Sequence, residues 1–191
     1  MKKKIAILGS TGSIGKSCLK IIGRDPINFK VELLTAKKNY KLLFKQAKKF
    51  SVKNIIITDE KSYQTAISQN IKNIKIYKNF DDFKKIFPKK IDYVMSAIVG
   101  LDGLIPTIKI IKYTKMIAIA NKETIICAWN LIKKKLKHHN TKFIPVDSEH
   151  FSIWYALKNN FQNIDNIILT ASGGPLYKLP INKFEQVKIS Q

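Results

Sequence analysis

Short, unbroken apolar runs alternate with longer stretches whose apolar residues recur every three or four positions, from the N-terminus to about residue 158. The short runs are bounded by turn residues and read as strands buried on both faces, and the longer stretches as amphipathic helices. Strands are predicted at 5–8, 29–36, 54–58, 74–77, 91–97, 115–120 and 142–146. Helices are predicted at 14–23, 42–50, 61–69, 81–87, 104–113 and 123–137. Asp25-Pro26 marks a turn, Asp81 is expected to cap the helix it opens, and Pro88 to end it. A helix reaching 158 and a strand at 166–170 follow, after which apolar periodicity fades. Strands and helices alternating at this rhythm predict an α/β fold on a doubly wound parallel sheet.

The first run, Ile5-Ala6-Ile7-Leu8, breaks into Gly9-Ser10-Thr11-Gly12-Ser13-Ile14-Gly15 before helical periodicity resumes. Glycines three apart at this junction fit a tight turn, a close approach to a pyrophosphate, and helix–strand packing, each of which excludes a Cβ. Thr11 and Ser13 flank the helix mouth, where free backbone N–H groups and the positive end of the helix dipole attract an anion. An ordinary strand-to-helix turn can show the same spacing. Its position directly after a buried N-terminal strand favours the nucleotide reading.

Open α/β sheets bind ligands at the carboxyl ends of their strands, so the polar residues there carry the candidate chemistry. The second strand ends in Ala36-Lys37-Lys38-Asn39, while Glu32 lies inside it. Two ammonium groups and an amide suit an adenosine 2′-phosphate and leave a bare ribose hydroxyl without its acceptor, favouring NADP(H) over NAD(H); two solvated lysines are the plainer alternative. The strand ending at Ala120 opens into Asn121-Lys122-Glu123. Helix capping accounts for Asn121 alone, and a lysine between an amide and a carboxylate favours a ligand role. The strand at 142–146 ends in Asp147-Ser148-Glu149-His150. Two carboxylates two residues apart on an extended segment converge on one hard cation, Mg²⁺ or Mn²⁺. Asp147 or Ser148 as a simple helix cap is the competing reading. Ser172-Gly173-Gly174-Pro175 offers a backbone that can wrap an oxygen-rich group, or an ordinary turn.

Composition narrows the function classes. The apolar content of 45% excludes disorder, and no run approaches the length of a membrane span. Met1-Lys2-Lys3-Lys4 precedes only four apolar residues, too few for a signal-peptide core. The net charge of +22 invites a nucleic-acid reading, but Arg24 is the only arginine and the lysines are spread over every predicted helix. The charge therefore reads as coding bias on solvated faces, with no nucleic-acid or membrane partner. Cys18 and Cys127 read as small buried hydrophobes in a reducing cytoplasm.

Taken in order, Gly9-Ser10-Thr11-Gly12-Ser13-Ile14-Gly15, Ala120-Asn121-Lys122-Glu123, Pro145-Val146-Asp147-Ser148-Glu149-His150 and Ser172-Gly173-Gly174-Pro175 resemble the 1-deoxy-D-xylulose 5-phosphate reductoisomerase family. The resemblance spans essentially the whole chain but only the N-terminal part of that family's protein. It implies a Rossmann-like NADPH-binding domain at 1–145 and, at 146–191, the beginning of a truncated α+β catalytic domain. It implies NADPH-dependent rearrangement and reduction of 1-deoxy-D-xylulose 5-phosphate to 2-C-methyl-D-erythritol 4-phosphate with a divalent cation, in a cytoplasmic homodimer. Thr11, Gly12, Ser13 and Ile14 would then hold the pyrophosphate, Lys37, Lys38 and Asn39 the 2′-phosphate side, and Asn121 and Glu123 the nicotinamide half. Lys122 would reach the substrate, Asp147 and Glu149 would ligate the cation, and Ser148, Glu149 and Ser172 would contact the sugar phosphate, with Lys122 and Glu149 catalytic. Lys37 stands where many relatives have glycine. The chain alone is expected to keep NADPH affinity while turning over little substrate; a non-catalytic NADP-binding module is the alternative.

Overall fold

The computed structural model describes residues 1–157, 164–168 and 176–188. Its centre is a seven-stranded, wholly parallel sheet in the order β4-β3-β2-β1-β5-β6-β7. The strands are β1 (Lys3–Leu8), β2 (Phe29–Ala36), β3 (Asn54–Ile57), β4 (Lys75–Tyr77), β5 (Ile91–Ser96), β6 (Thr114–Ile119) and β7 (Lys142–Pro145). Between them lie α1 (Ser13–Ile22), α2 (Tyr40–Lys49), α3 (Glu60–Ser68), α4 (Phe83–Ile86), α5 (Leu104–Ile110) and α6 (Lys122–His138), and α7 (Ser148–Leu157) follows β7. The chain builds outward from β1 to β4, then returns to lay β5 against the other side of β1. Strand order reverses between β1 and β5, which is where an α/β sheet opens its ligand crevice.

Alternation along β1 explains why its apolar run is continuous. Ile5 and Ile7 pack into one cluster with Leu19 and Ile22 of α1, Leu43 and Phe44 of α2 and Ala66 of α3. Ala6 and Leu8 point into the opposite cluster, with Phe83 of α4, Ile110 of α5 and Ile125, Ile132 and Leu136 of α6. Successive side chains of a strand face opposite ways, so a sheet covered on both sides needs apolar residues at every position. Each fully buried Ile or Leu here contributes about 1.5–3 kcal/mol.

Two local expectations are corrected. Asp81 does not cap the fourth helical segment; the Asn79 side chain does, accepting from the Asp81 N–H at 2.8 Å at the head of a 3₁₀ turn, Phe80–Asp82, that leads into α4. An asparagine carbonyl reaches an N–H two residues on as readily as an aspartate, so the two positions compete for one role. Cys127 is exposed rather than buried. The buried stripe of α6 runs through Thr124, Ile125, Ile132 and Leu136, interrupted by a kink at Ala128 (φ −139°, ψ 24°), and residue 127 falls off it. Cys18 is half-buried, and burial pushes its thiol up.

The chain divides into two compact units, Met1–Phe151 and Ser152–Gln191. The first holds the whole sheet. The described part of the second contains the end of α7 and a 3₁₀ segment, Ile181–Gln186, and residues 164–168, inside the expected last strand's neighbourhood, are exposed without regular structure. Positions 169 and 170 of that strand lie outside the described residues.

Candidate functional site

The glycine turn is fastened from below. Gly9 adopts φ +82°, open to glycine at little cost, and a Cβ there would sit 2.7 Å from the Ala97 carbonyl oxygen. Gly15 lies where a Cβ would come within 2.4 Å of the Gly9 carbonyl oxygen, so α1 crosses the turn at backbone contact. Gly12 differs: its added Cβ would meet only the Gly9 carbonyl oxygen, at 3.4 Å. The protein leaves space beside Gly12 that it denies to Gly9 and Gly15.

Residues outside the motif hold this turn. The Gly9 N–H donates to Thr35 Oγ1 at 2.9 Å, and the Ser10 N–H to the Thr35 carbonyl at 2.9 Å. Ser10 Oγ donates to Gln46 Oε1 at 2.8 Å while Gln46 Nε2 returns a bond to the Ser10 carbonyl at 2.9 Å. Thr35 and Gln46 were invisible as site residues in the sequence. A polar residue inside an apolar strand and a glutamine at apolar-face spacing from Leu43 and Phe50 in a lysine-rich helix were the available signals. At the mouth of α1 no side chain caps Gly12 and no acidic residue occupies the first turn. The first-turn N–H groups and the positive helix end are therefore left without a capping side chain, while the Gly12 N–H itself donates to the Gly9 carbonyl at 3.2 Å.

Two clefts open along this edge of the sheet. One, of 640 Å³, is lined by Gly9, Thr11, Gly12, Lys37, Lys78 and Asp102 among others. The second, of 430 Å³, gathers Ile14, Asn121, Lys122, Glu123, Asp147, Ser148 and Glu149. Ala97, Ile98 and Val99, the loop leaving β5, line both. Residues more than a hundred positions apart thus meet at the strand-order reversal.

Each expected residue has a definite place. Lys37 pairs with Asp102 at 2.7 Å, and this contact raises its pKa, the hydrogen bond first and the charge second. Lys38 is exposed, and Asn39 spends its side-chain oxygen on the Leu42 N–H at 3.1 Å, capping α2. Asn121 is buried and caps α6 through Thr124 N–H at 2.9 Å, while its amide nitrogen donates to the carbonyls of Ile98 and Gly100. Lys122 is exposed and Glu123 half-buried in the first turn of α6. Ser172 lies outside the described residues.

Asp147 and Glu149 do share a cleft, but not from an extended segment. Asp147 stands at the N-cap of α7, accepting from the His150 N–H at 3.0 Å, and Glu149 sits in the first helical turn. His150 Nδ1 also lies 2.6 Å from Asp147 Oδ1, so the backbone N–H and the ring Nδ1 of one residue fix one carboxylate oxygen. Burial works to raise the Asp147 pKa, but the His150 backbone and ring bonds outweigh it and leave the carboxyl below its usual range. The second oxygen, Oδ2, is buried and has no hydrogen-bond partner. An ionised carboxylate oxygen in that state is costly unless something positive completes it. The donor set of two carboxylates and a hydroxyl suits a hard divalent cation. Among the described residues no group of three His, Cys, Asp or Glu side chains assembles around one point.

A doubly wound parallel sheet, an uncapped helix mouth over a bare glycine, and an adjoining carboxylate cleft together characterise this α/β protein. Residues 5–129 match the family model of 1-deoxy-D-xylulose 5-phosphate reductoisomerase, and residues 143–191 that of its C-terminal domain. The chain belongs to the 1-deoxy-D-xylulose 5-phosphate reductoisomerase family. It is 59% identical over 192 residues to the reductoisomerase of Pelagibacter ubique (strain HTCC1062), covering 98% of this chain and 49% of that protein. A solved reductoisomerase from Zymomonas mobilis in complex with NADPH superimposes with a TM-score of 0.83 at 32% identity, over 98% of this chain and 50% of that one. Another, in complex with NADPH, fosmidomycin and magnesium, gives 0.77 at 29% identity, again over 98% of this chain and 50% of that one. The chain spans about half the length of the curated relatives it matches.

Proposed function

We propose that this chain supplies the NADPH- and cation-binding parts of an enzyme converting 1-deoxy-D-xylulose 5-phosphate, with NADPH and a proton, to 2-C-methyl-D-erythritol 4-phosphate and NADP⁺. One observation carries the reading: the Ala97–Ile98–Val99 loop is a shared wall between the glycine groove and the carboxylate cleft, so a dinucleotide in one reaches a chelated substrate in the other. The relatives solved with NADPH and with magnesium support the same pairing of ligands.

In this reading Thr11, Gly12, Ser13 and Ile14 receive the pyrophosphate on the bare N–H groups of α1. Lys37, Lys38 and Asn39 line the 2′-phosphate side, Asn39 through its amide nitrogen since its oxygen is engaged. Asn121 and Glu123 bracket the nicotinamide half. Asp147 and Glu149 hold the cation, His150 fixing the Asp147 carboxylate, while Ser148, Glu149 and Lys122 orient the sugar phosphate, joined by Ser172. When bound, NADPH supplies the hydride and the cation the charge that polarises neighbouring substrate oxygens. Lys122, on the cleft wall, holds positive charge near the oxygens that become electron-rich during rearrangement and reduction. Residues 1–145 form the cofactor-binding domain in this account and 146–191 begin the catalytic one. The complete protein works as a cytoplasmic homodimer on a small sugar phosphate, with no nucleic-acid or membrane partner; no helix among the described residues is long and apolar enough to cross a membrane.

The test is a titration of the purified 191-residue chain. NADPH is expected to bind at least tenfold more tightly than NADH, and Mg²⁺ to raise the melting temperature of the parent chain but not of Asp147→Asn. Steady-state turnover of substrate by this chain is expected to be negligible beside ordinary enzyme rates. Equal affinity for the two nucleotides, or a Mg²⁺ effect that survives the substitution, refutes the assignment.

A further inference from the structure

Asn121 is 3% exposed, and the hydrogen bonds of its amide all go to backbone. Its oxygen caps α6, the helix that begins with Lys122 and Glu123, and its nitrogen grips the Ile98 and Gly100 carbonyls on the loop dividing the two clefts. Two amide protons are spent on two carbonyls, so the nitrogen has none left for a ligand. We propose that Asn121 is a positioning residue: it locks the Ile98–Gly100 wall to the head of α6 and thereby sets where the nicotinamide half of the cofactor rests relative to Lys122 and the carboxylate pair. The inference rests on the cofactor reading above and changes what Asn121 does within it, from contacting the dinucleotide to holding the surface it lies against.

Beside this tether the Gly100 carbonyl accepts one backbone bond, from the Gly103 N–H at 3.1 Å. The α5 side of the same loop is pinned separately: Thr107 Oγ1 donates to the Gly103 carbonyl at 2.6 Å and lies 2.6 Å from Ser96 Oγ, all within the core. The cofactor groove beyond residue 101, with Asp102, Ile105 and Pro106, is therefore held without Asn121. Gly100 takes φ +70° with open space where a Cβ would stand, so beyond Ile98, which packs against the core, the segment gains no side-chain packing at residue 100. Gly103 has the reverse character: a Cβ would lie 2.5 Å from Asn121 Nδ2 and 2.6 Å from the Ile98 carbonyl oxygen. Residue 103 is kept bare so that the amide can reach through to the loop.

The test separates the two halves of the cofactor. Asn121→Asp keeps the capping oxygen but presents a carboxylate oxygen to two carbonyls, repelling the wall. NADPH affinity of the 191-residue chain is expected to fall at least tenfold, while 2′-phospho-ADP-ribose, which lacks the nicotinamide, binds within twofold of the parent chain. Gly103→Ala displaces the same amide by a different route and is expected to give the same split, so the comparison stands if the first variant does not fold. A purely structural role predicts a parallel loss for both ligands, which overturns the proposal, as does unchanged NADPH affinity in either folded variant. Failure of the parent chain to bind either ligand overturns the cofactor reading itself, and the proposal with it.

Discussion

Gly12 and Gly15, three residues apart in one turn, are expected to respond in opposite ways to the same added methyl group. A Cβ on Gly15 falls 2.4 Å from the Gly9 carbonyl oxygen, 2.5 Å from Ser10 Cα and 2.8 Å from Ser10 C, all backbone atoms. The closest of these is about 1 Å short of an ordinary contact, and the turn below is fixed by Thr35 and Gln46, so α1 must shift. Overpacking of this severity costs about 3 kcal/mol, and alanine's better helix propensity returns about 1 kcal/mol inside α1. The net loss of about 2 kcal/mol lowers the melting temperature of a chain this long by about 4–8 °C. Gly12→Ala places its Cβ 3.4 Å from one oxygen, at an extended backbone (φ −75°, ψ 173°) that alanine accepts. The poorer N-cap and the stiffer unfolded chain nearly offset, leaving stability within about 0.5 kcal/mol. If the proposed pyrophosphate site is right, the methyl group fills its space and NADPH affinity drops at least about tenfold, or 1.4 kcal/mol. Thermal melts and NADPH titrations of both variants read the contrast. Gly15→Ala melting with the parent chain, or Gly12→Ala losing as much stability as Gly15→Ala, refutes the division of roles between packing and ligand.

Two further outcomes follow from charged groups. Asp102→Asn frees Lys37 from its partner and removes a negative charge beside the groove, so affinity for 2′-phospho-ADP-ribose is expected to rise by about twofold, less at high salt, with ADP-ribose unchanged; an equal gain for both ligands contradicts a 2′-phosphate role for Lys37. Asp92 is held below its ordinary value of 3.8, chiefly by the Lys115 ammonium at 2.8 Å and then by the Lys4 N–H at 2.9 Å. A depressed carboxylate adds stability above its unfolded value and loses it as pH falls through the folded one. Asp92→Asn should therefore melt lower than the parent chain at neutral pH and converge with it from about pH 5 downward, and melting curves that stay parallel to low pH would show that Asp92 has no part in acid sensitivity.

The order of strands and helices was legible in the chain because burial on both faces of a parallel sheet demands continuous apolar runs, and amphipathic helices demand their own period. The glycine turn was legible too, since Gly15 meets backbone of Gly9 and Ser10 in the same turn and Gly9 needs a positive φ, although the carbonyl that a Cβ on Gly9 would strike belongs to the distant Ala97. Sequence alone also grouped Asp147 with Glu149, though it misjudged the conformation that joins them: a cap and a first helical turn. What it left undecided depended on contacts between distant segments. Thr35 and Gln46 matter only because β2 and α2 lie under the turn, and Asn121 changes character once its amide is seen gripping a loop more than twenty residues earlier. Hydrogen bonds of buried polar groups are settled by whichever partners the fold brings within 3 Å or so, and no local pattern records that choice. Local sterics wrote the elements and the bare glycines into the sequence; the meeting of two clefts on one shared loop arose only when β5 returned to lie beside β1.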